Sequence, residues 1–245
     1  MTLDLESTTV PAVERVLECE VMDGEVEARE YDAMDFSDAD RSFADRAAAL
    51  VHGPRDAPLE IIDLGCGTGT IALMLADLFP NARIVGVDLA ESMLSLAKAK
   101  LESRSLGHRV VLMQRDVKET GLPSGHFDLV ISNSVLHHLP DPERLLVEMR
   151  RLVTEGGALL LCDLFRPGDE AGAWAIVDEA APGDSPKQRQ LFFDSLCAAL
   201  TSAELTTLAE RVGLSDMTIE TISKRHLAAS RHGTPRHGTA ALGSH

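Results

Sequence analysis

One stretch of the chain decides its fold: Asp63-Leu64-Gly65-Cys66-Gly67-Thr68-Gly69-Thr70. The apolar residues 59–62 before it predict a buried strand, and the apolar residues 71–79 after it predict a helix. A strand, a glycine turn and a helix form half of a nucleotide-binding βαβ unit. The glycines are required because a ligand there lies against bare backbone, where a Cβ atom would intrude.

The spacing of this motif narrows the choice of ligand. A second strand is predicted over residues 82–87, and Asp88 follows it directly. A carboxylate about 20 residues beyond the glycine turn can accept both ribose hydroxyls of a nucleotide. Thr70 stands where a dinucleotide fingerprint has its third glycine, which disfavours a nicotinamide cofactor. The simpler alternative is an ordinary strand-to-helix turn without a ligand.

These features together resemble the class I S-adenosylmethionine-dependent methyltransferase family, of the small-molecule type. The family's first motif has an acidic residue before Gly-x-Gly-x-Gly and another after the second strand; here these are Asp63 and Asp88. The motifs that carry the resemblance lie within residues 59–165. The resemblance implies an α/β fold, a doubly wound, seven-stranded Rossmann-like sandwich with a helical cap. It also implies S-adenosyl-L-methionine as cofactor and S-adenosyl-L-homocysteine as product.

The resemblance further implies which residues hold the methyl donor. Asp63 would lie near the donor's ammonium group, with a helix cap as the alternative, and Asp88 would hold the ribose. Asp116 would take the adenine amino group or be a plain surface residue, and Asn133 would line the donor site. Tyr31 resembles the aromatic residue of an N-terminal segment that closes over the donor, with simple packing as the alternative. The expected donor-binding residues are Tyr31, Asp63, Gly65, Cys66, Gly67, Asp88, Leu89, Met93, Asp116, Val117 and Asn133.

The loop after the fourth predicted strand carries the candidate catalytic residue. Residues 132–141 resemble the family's fourth motif, in which His137 would face the methyl group and act as a general base or form the pocket floor. His138 is its direct neighbour, and adjacent side chains point in different directions, so no metal site is expected. Arg166 could hold an anionic acceptor or pair with an acidic neighbour. The expected acceptor-binding residues are His138, Arg166, Phe192 and Phe193.

The charge balance bears on the partner of this chain. Lys plus Arg number 23 and Asp plus Glu number 39, which gives the 245 residues a formal net charge of −16. Such a balance repels phosphate backbones, so the expected partner is a small-molecule acceptor and not a nucleic acid. No apolar run reaches the roughly 18 residues that a membrane span needs. The 4 cysteines are scattered, which fits a reduced, cytoplasmic protein. The oligomeric state is left open.

Breaks in the pattern divide the chain into three parts. Residues 1–55 are expected to form an N-terminal helical lid segment. Residues 56–230 are expected to form the donor-binding domain, with a helical cap inserted at residues 166–200. Within the cap, Ser185-Pro186 predicts a helix start, with serine as the cap and proline in the first turn. The Gly-, His- and Ser-rich residues 231–245 are expected to be a disordered tail.

The function expected from these features is transfer of a methyl group from S-adenosylmethionine to a small molecule by in-line displacement. One alternative is methylation of a macromolecule, RNA or protein, and the charge balance counts against it. Another is a non-catalytic S-adenosylmethionine-binding protein, against which a cap over the site counts weakly. An oxidoreductase with a nicotinamide cofactor ranks third.

Overall fold

The computed structural model describes residues 13–18 and 24–235, which centre on a seven-stranded sheet. The strands are β1 (Glu60–Leu64), β2 (Arg83–Asp88), β3 (Val110–Gln114), β4 (Phe127–Asn133), β5 (Val153–Leu164), β6 (Thr218–Thr221) and β7 (His226–Arg231). The helices are α1 (Glu25–Asp32), α2 (Ser37–Leu50), α3 (Thr70–Leu78), α4 (Glu91–Ser103), α5 (Glu143–Leu152), α6 (Glu170–Ala180), α7 (Pro186–Ala198) and α8 (Ser202–Arg211). A short 3₁₀ helix, Leu136–His138, follows β4 and is named the histidine turn.

The strand order is β3-β2-β1-β4-β5-β7-β6, which confirms the predicted doubly wound α/β sandwich. Strands β1 to β5 pair in parallel, and β7 is antiparallel to both of its neighbours. The chain winds outward from β1 to β3 and then returns to place β4 on the other side of β1. This reversal is a topological switch point, and ligands of open parallel sheets bind at the carboxyl ends of the strands there.

The central strands are buried on both faces because helices cover each side of the sheet. Ile61 and Ile62 are successive residues of β1 that point to opposite faces, and both are fully buried. Ile61 belongs to an apolar cluster with α2 and α3, whereas Ile62 belongs to a second cluster with α5 and α8. Two-sided burial explains why these strands have continuous apolar sequences instead of alternating ones.

The N-terminal part differs from the expected lid because α2 belongs to the core. Its Phe43 and Ala47 are buried in the same cluster as α3 and the face of β1. The small alanines on this face of α2 let the helix approach the sheet closely. The helical spacing of apolar residues in the sequence does not indicate such a close approach. Residues 1–12 and 19–23 of the expected lid lie outside the described part of the chain.

The end of the chain also departs from the expected tail. Arg231 is the last residue of β7, and the Gly233 N–H donates to the Leu50 carbonyl at 2.9 Å. The expectation of disorder is therefore wrong for residues 231–235. Local composition missed this because the hydrogen-bond partner comes from a distant helix. Residues 236–245 of the expected tail lie outside the described residues.

The expected cap is formed by α6 and α7. Ser185 caps α7 as predicted: its hydroxyl accepts the Gln188 N–H at 3.3 Å, and the Gln188 side chain accepts the Ser185 N–H at 3.0 Å. Trp174 of α6 stacks on Phe193 of α7, with ring centroids 4.5 Å apart. The two helices therefore share an apolar cluster of their own above the end of β5.

The fold predicts that Gly65 tolerates no side chain. Its φ is +80°, and a Cβ there would overlap the Val135 side chain before the histidine turn. Gly53 has φ of +111° and nothing within 4 Å of such a Cβ, so it is the matched control for backbone strain alone. We expect Gly65→Ala to lower the free energy of unfolding by about 1–3 kcal/mol more than Gly53→Ala, measured by urea unfolding without ligand. Equal losses in the two variants would contradict the contact with Val135.

Candidate methyl-donor and acceptor site

The predicted site residues of the loops lie at the carboxyl ends of β1 to β5, whereas Tyr31 comes from α1, and Phe192 and Phe193 come from α7. The glycine turn, residues 65–69, leaves β1, and its Gly65 and Cys66 N–H groups donate to the Val87 carbonyl of β2 at 2.7 and 3.0 Å. Gly67 has φ of +51°, and no atom lies within 4 Å of where its Cβ would be. One side of the turn is therefore bare backbone held in place by the neighbouring strand.

Asp88 ends β2 and holds the glycine turn with its side chain. Its Oδ2 accepts the Gly67 N–H at 2.8 Å, and its Oδ1 accepts the Ala90 N–H at 2.9 Å. A carboxylate offers about four acceptor sites, so each oxygen retains a lone pair for a ribose hydroxyl. The next residue, Leu89, is a large apolar side chain that is 39% exposed at the same edge, where a flat base can pack. The arrangement fits a nucleoside lying on the turn.

Asp63 is a buried acid with an unused oxygen. The residue is 1% exposed, and its Oδ2 has no hydrogen-bond partner among the described residues. Burial raises the pKa of this carboxyl to about 8, and the nearby Asp88 and Asp40 carboxylates add to the shift. Three acids around one buried position favour a cationic ligand, because a positive charge relieves both the desolvation and the mutual repulsion.

Tyr31 packs at the start of α4, near the acids around the glycine turn, and its contact with the donor stays a prediction. Its ring is 5.3 Å from that of Phe36 and packs with Met93 and Ala90 of the α4 end. Burial raises the pKa of the Tyr31 hydroxyl to about 12, with Asp40, Asp88, Asp32 and Asp63 contributing. The phenol therefore stays neutral beside these acids.

Lys100, which was not among the expected site residues, fixes α1 to the glycine turn. The Lys100 ammonium pairs with Asp32 of α1 and donates to the hydroxyls of Thr68 and Thr70 at 3.0 and 3.2 Å. Lys100 lies on α4, 30 residues from Thr70, so only the fold brings the partners together. The N-terminal segment is thus tied to the turn by a charge-assisted hydrogen bond.

The remaining predicted donor residues lie at the same edge with different exposures. The Cys66 side chain points toward Gly86 and away from the bare side of the turn, so only its backbone faces a ligand. The Asp116 Oδ1 accepts the Lys118 N–H at 2.8 Å, and the following Val117 is buried. Asn133 is the last residue of β4 and precedes Ser134, whose φ is +57°.

The histidine turn places one imidazole on a buried carboxylate. His137 Nδ1 lies 2.5 Å from Asp163 Oδ1, and Asp163 Oδ2 accepts the Leu136 N–H at 2.6 Å. The hydrogen-bond network assigns the proton to Nδ1 and leaves the Nε2 lone pair of His137 free. Burial disfavours the charged ring, but the Asp163 carboxylate outweighs it and raises the pKa of His137. Asp163 ends the apolar run of β5 and was not among the expected site residues.

Residues 13–18, which we name the N-terminal strap, cross the histidine turn. The Arg15 guanidinium donates to the carbonyls of Ala198 at 2.6 Å and Leu139 at 2.9 Å, which joins the end of α7 to the turn. Glu18 Oε2 lies 3.3 Å from His138 Nδ1. The strap was not predicted because its residues have no clear period, and its partners are more than 100 residues away.

Comparison with known proteins agrees with this geometry. A family model described as a methyltransferase domain matches residues 62–161. The chain is 30% identical over 184 residues to a trans-aconitate 2-methyltransferase of Methylobacterium radiotolerans, a match that covers 69% of this chain and 68% of that protein. The chain belongs to the class I S-adenosylmethionine-dependent methyltransferases.

Two further comparisons bear on the extent of the likeness. A demethylmenaquinone methyltransferase of Thermus thermophilus is 36% identical over 121 residues, which cover 49% of this chain and 53% of that protein. The chain thus spans about half the length of that relative. A solved S-adenosylmethionine-dependent methyltransferase from Aquifex aeolicus has the same fold, with a TM-score of 0.60, 16% identity and coverage of 84% of this chain and 97% of that one.

S-adenosylmethionine is the cofactor of this family, and the residues present here fit it. The fit rests on the bare side of Gly67, the free lone pairs of Asp88 and the unpartnered oxygen of Asp63.

Among the described residues, no helix is both long enough and apolar enough to cross a membrane.

Arg166 is paired internally, which is the second of its two expected roles. Its guanidinium is buried and donates to the Ala199 carbonyl at 2.8 Å and to Glu204 Oε1 at 2.6 Å. The side chain therefore links the end of β5 to the cap of α8 instead of presenting a free cation to an anionic acceptor. No local sequence pattern indicates this ion pair, because Glu204 lies 38 residues after Arg166 along the chain.

The two expected acceptor-binding phenylalanines pack within the cap. Phe193 stacks on Trp174, and Phe192 lies under the Arg225 guanidinium at 5.3 Å from the ring centroid. Both rings are half-buried in the cluster that holds α6 against α7. Their role as acceptor contacts stays a prediction.

The bare side of Gly67 leads to a prediction about donor binding. Gly67→Ala would place a methyl group on the side of the turn where nothing lies within 4 Å, so a ligand and not the protein would meet it. Gly125 has φ of +61° and an equally open surrounding, and it lies in a turn outside the site. We expect both alanine variants to lose similar stability, but only Gly67→Ala to weaken S-adenosylmethionine binding, by at least ~10-fold or about 1.4 kcal/mol in calorimetry. Unchanged affinity in Gly67→Ala would place the donor elsewhere.

The raised pKa of Asp63 leads to a prediction about pH. In the unfolded chain this carboxyl ionises near its ordinary pKa of 3.8, whereas in the fold it ionises near 8. Its contribution to stability is therefore fully present below pH 4 and is lost as the pH rises to 8, by on the order of 5 kcal/mol at about 1.36 kcal/mol per unit. Donor-free Asp63→Asn should lack this decline in urea unfolding. Asp77→Asn, on the surface beside Arg104, is the control and should follow the wild type.

Proposed function

We propose that this protein transfers the methyl group of S-adenosylmethionine to a small-molecule acceptor. The observation that carries the proposal is the contact between two loops. The glycine turn that fits the donor lies directly against Val135, two residues before the buried His137–Asp163 pair. Donor and proton acceptor would therefore meet at one edge of the sheet, at a fixed separation.

The donor's place in the proposal follows from the acids of the site. Asp88 would hold the ribose, the bare side of Gly67 would admit the nucleoside, and Asp63 would face the positively charged methionine end. Tyr31, tied through α1 and Lys100 to the glycine turn, would cover the donor from outside. When bound, S-adenosylmethionine supplies an electrophilic methyl carbon. Holding an acceptor in line with that carbon, at about 3–3.5 Å, provides much of the rate acceleration.

On the acceptor side, His137 Nε2 would take the proton that an alcohol, phenol or ammonium acceptor must lose. Asp163 fixes the ring through Nδ1, so the free lone pair is held in one direction. The Arg15 hydrogen bonds to Ala198 and Leu139 hold the turn to the end of α7. A positioned base of this kind typically contributes about 10²–10⁴-fold to the rate.

A small acceptor is favoured over a macromolecule by charge and by coverage. The formal net charge of −16 opposes nucleic acid binding. The strap is hydrogen-bonded to the end of α7 and to the residue after the histidine turn, which would narrow access for a folded partner. The two relatives named above are called methyltransferases of trans-aconitate and of demethylmenaquinone, both small molecules. We propose the class of small acceptors without choosing between these two.

The proposal is tested by following the product of the donor. Purified protein is incubated with S-adenosylmethionine and a cell extract divided by ultrafiltration into small molecules and macromolecules. We expect S-adenosylhomocysteine to form with the small-molecule fraction and a labelled methyl group to appear in a low-mass product. Label found only in protein or RNA would contradict the small acceptor, and binding without turnover in any fraction would favour a non-catalytic binding protein.

Replacement of the proposed base should separate chemistry from binding. We expect His137→Gln to lower turnover by about 10²–10⁴-fold while S-adenosylmethionine affinity stays unchanged, because the proposed role of Nε2 is toward the acceptor and not the donor. His126→Gln, a surface histidine next to Glu60, is the matched control and should keep full turnover. A loss in His137→Gln that is explained wholly by weaker donor binding would reduce the residue to a wall of the pocket.

A further inference from the structure

Three potential metal ligands from two distant parts of the chain meet at the histidine turn. Glu18 comes from the N-terminal strap, and His137 and His138 come from the turn itself. One ligand atom of each lies within 4.8 Å of the others. We propose that Glu18, His137 and His138 form a binding site for one divalent transition-metal ion of the Zn²⁺ class. An ion on His137 Nε2 would occupy the lone pair assigned above to proton transfer, so metal binding and base catalysis would be alternative states of this residue; the metal proposal itself does not depend on methyl transfer.

The ligand set has the chemistry that such an ion prefers. Two imidazoles and one carboxylate are a common three-residue set for zinc, and further coordination positions stay open for water or another oxygen ligand. Imidazole nitrogen favours borderline ions such as Zn²⁺ over Mg²⁺ and Ca²⁺, which prefer oxygen alone. The sequence argument against a metal was that adjacent histidines diverge. In the 3₁₀ geometry of the turn, the two rings instead lie side by side, with centroids 4.0 Å apart.

His137 is already oriented as a metal ligand would be. Its Nδ1 is held by Asp163 at 2.5 Å, so Nε2 is the free nitrogen. A metal-bound histidine in proteins almost always donates its other N–H to a carboxylate, a carbonyl or water. Asp163 in turn accepts the N–H groups of Leu136 and Leu164, at 2.6 and 2.7 Å, which fixes the carboxylate itself.

His138 provides the second nitrogen ligand, and its Nδ1 atom lacks a well-formed hydrogen bond. The Nδ1 atom is buried, and no described group meets it with hydrogen-bond geometry, although Glu18 Oε2 lies only 3.3 Å away. That separation matches the roughly 3.3–3.5 Å between two ligand atoms of a tetrahedral ion with bonds near 2.0–2.2 Å. An ion between the two would satisfy the buried nitrogen and the carboxylate together.

The site needs a small closure, and a nearby cation limits its strength. The three ligand atoms lie within 4.8 Å of one another, so side-chain rotation of Glu18 on the strap would have to bring its carboxylate to the tetrahedral spacing of roughly 3.3–3.5 Å from both imidazoles. The Arg15 guanidinium contacts the same turn and opposes a second positive charge, whereas the Asp163 carboxylate favours it. We therefore expect micromolar affinity, below that of a structural zinc site.

Metal binding is measured on the full chain without donor or acceptor, by competition for Zn²⁺ with a chromogenic chelator. All proteins carry His232→Gln, His237→Gln and His245→Gln, so that C-terminal histidines do not contribute. We expect one equivalent to bind. Glu18→Gln and His138→Gln should each weaken it at least ~10-fold, and Asp163→Asn by roughly 10–100-fold through its hold on His137.

The control is His126→Gln, which removes a surface histidine 4.0 Å from Glu60 and should leave Zn²⁺ affinity unchanged. Circular dichroism and S-adenosylmethionine affinity of each variant show that the fold is intact. Absence of a bound equivalent, or an affinity that Glu18→Gln and His138→Gln leave unchanged, would overturn the site. Because no acceptor is present, neither result depends on whether His137 acts as a base.

Discussion

The Asp163 carboxylate is the constraint on which the acceptor side of this structure depends. It is fully buried at the end of β5 and accepts three hydrogen bonds, from His137 Nδ1 and from the backbone N–H groups of Leu136 and Leu164. Burial opposes its ionisation, but His137 and the Leu136 N–H outweigh that cost and lower the pKa of Asp163. A buried charge without these partners would cost several kcal/mol, so β5, the histidine turn and the imidazole must keep their present arrangement together.

On the donor side, in contrast, the negative charge of the carboxyl groups is not fully compensated. Asp63, Asp40 and Asp88 lie near one another around the glycine turn, and Lys100 compensates only part of their charge from outside, through Asp32 and two threonine hydroxyls. The consequence is a buried acid whose pKa is raised, next to a strip of backbone without side chains. Repulsion among acids is tolerated in a native state when a ligand relieves it, and a sulfonium with an ammonium group is such a ligand.

The sequence was sufficient to predict the glycine turn and the strand beside it, because the signals for these elements are local. The sequence spacing of Gly65, Gly67 and Asp88 is recognisable. A glycine turn and the strand beside it need particular residues at particular separations along the chain. The strap could not be predicted in the same way. Arg15 and Glu18 have their partners in residues 137–139 and 198, and no local sequence pattern indicates a contact over such separations. Asp163 lies between these cases, because a single acid within the apolar run of β5 was a visible exception whose partner was not visible.

Gly65 connects the two halves of the site. Its missing Cβ leaves just enough room for the Val135 side chain, so the donor turn rests directly on the residue that leads into the histidine turn. A packed core transmits displacement because it has few voids to absorb it. A displacement of the glycine turn would therefore be transmitted to the histidine turn, which Asp163 and Arg15 hold from its other sides. The glycine turn, the histidine turn and the strap are thus connected at one edge of the sheet, where each segment contacts the next.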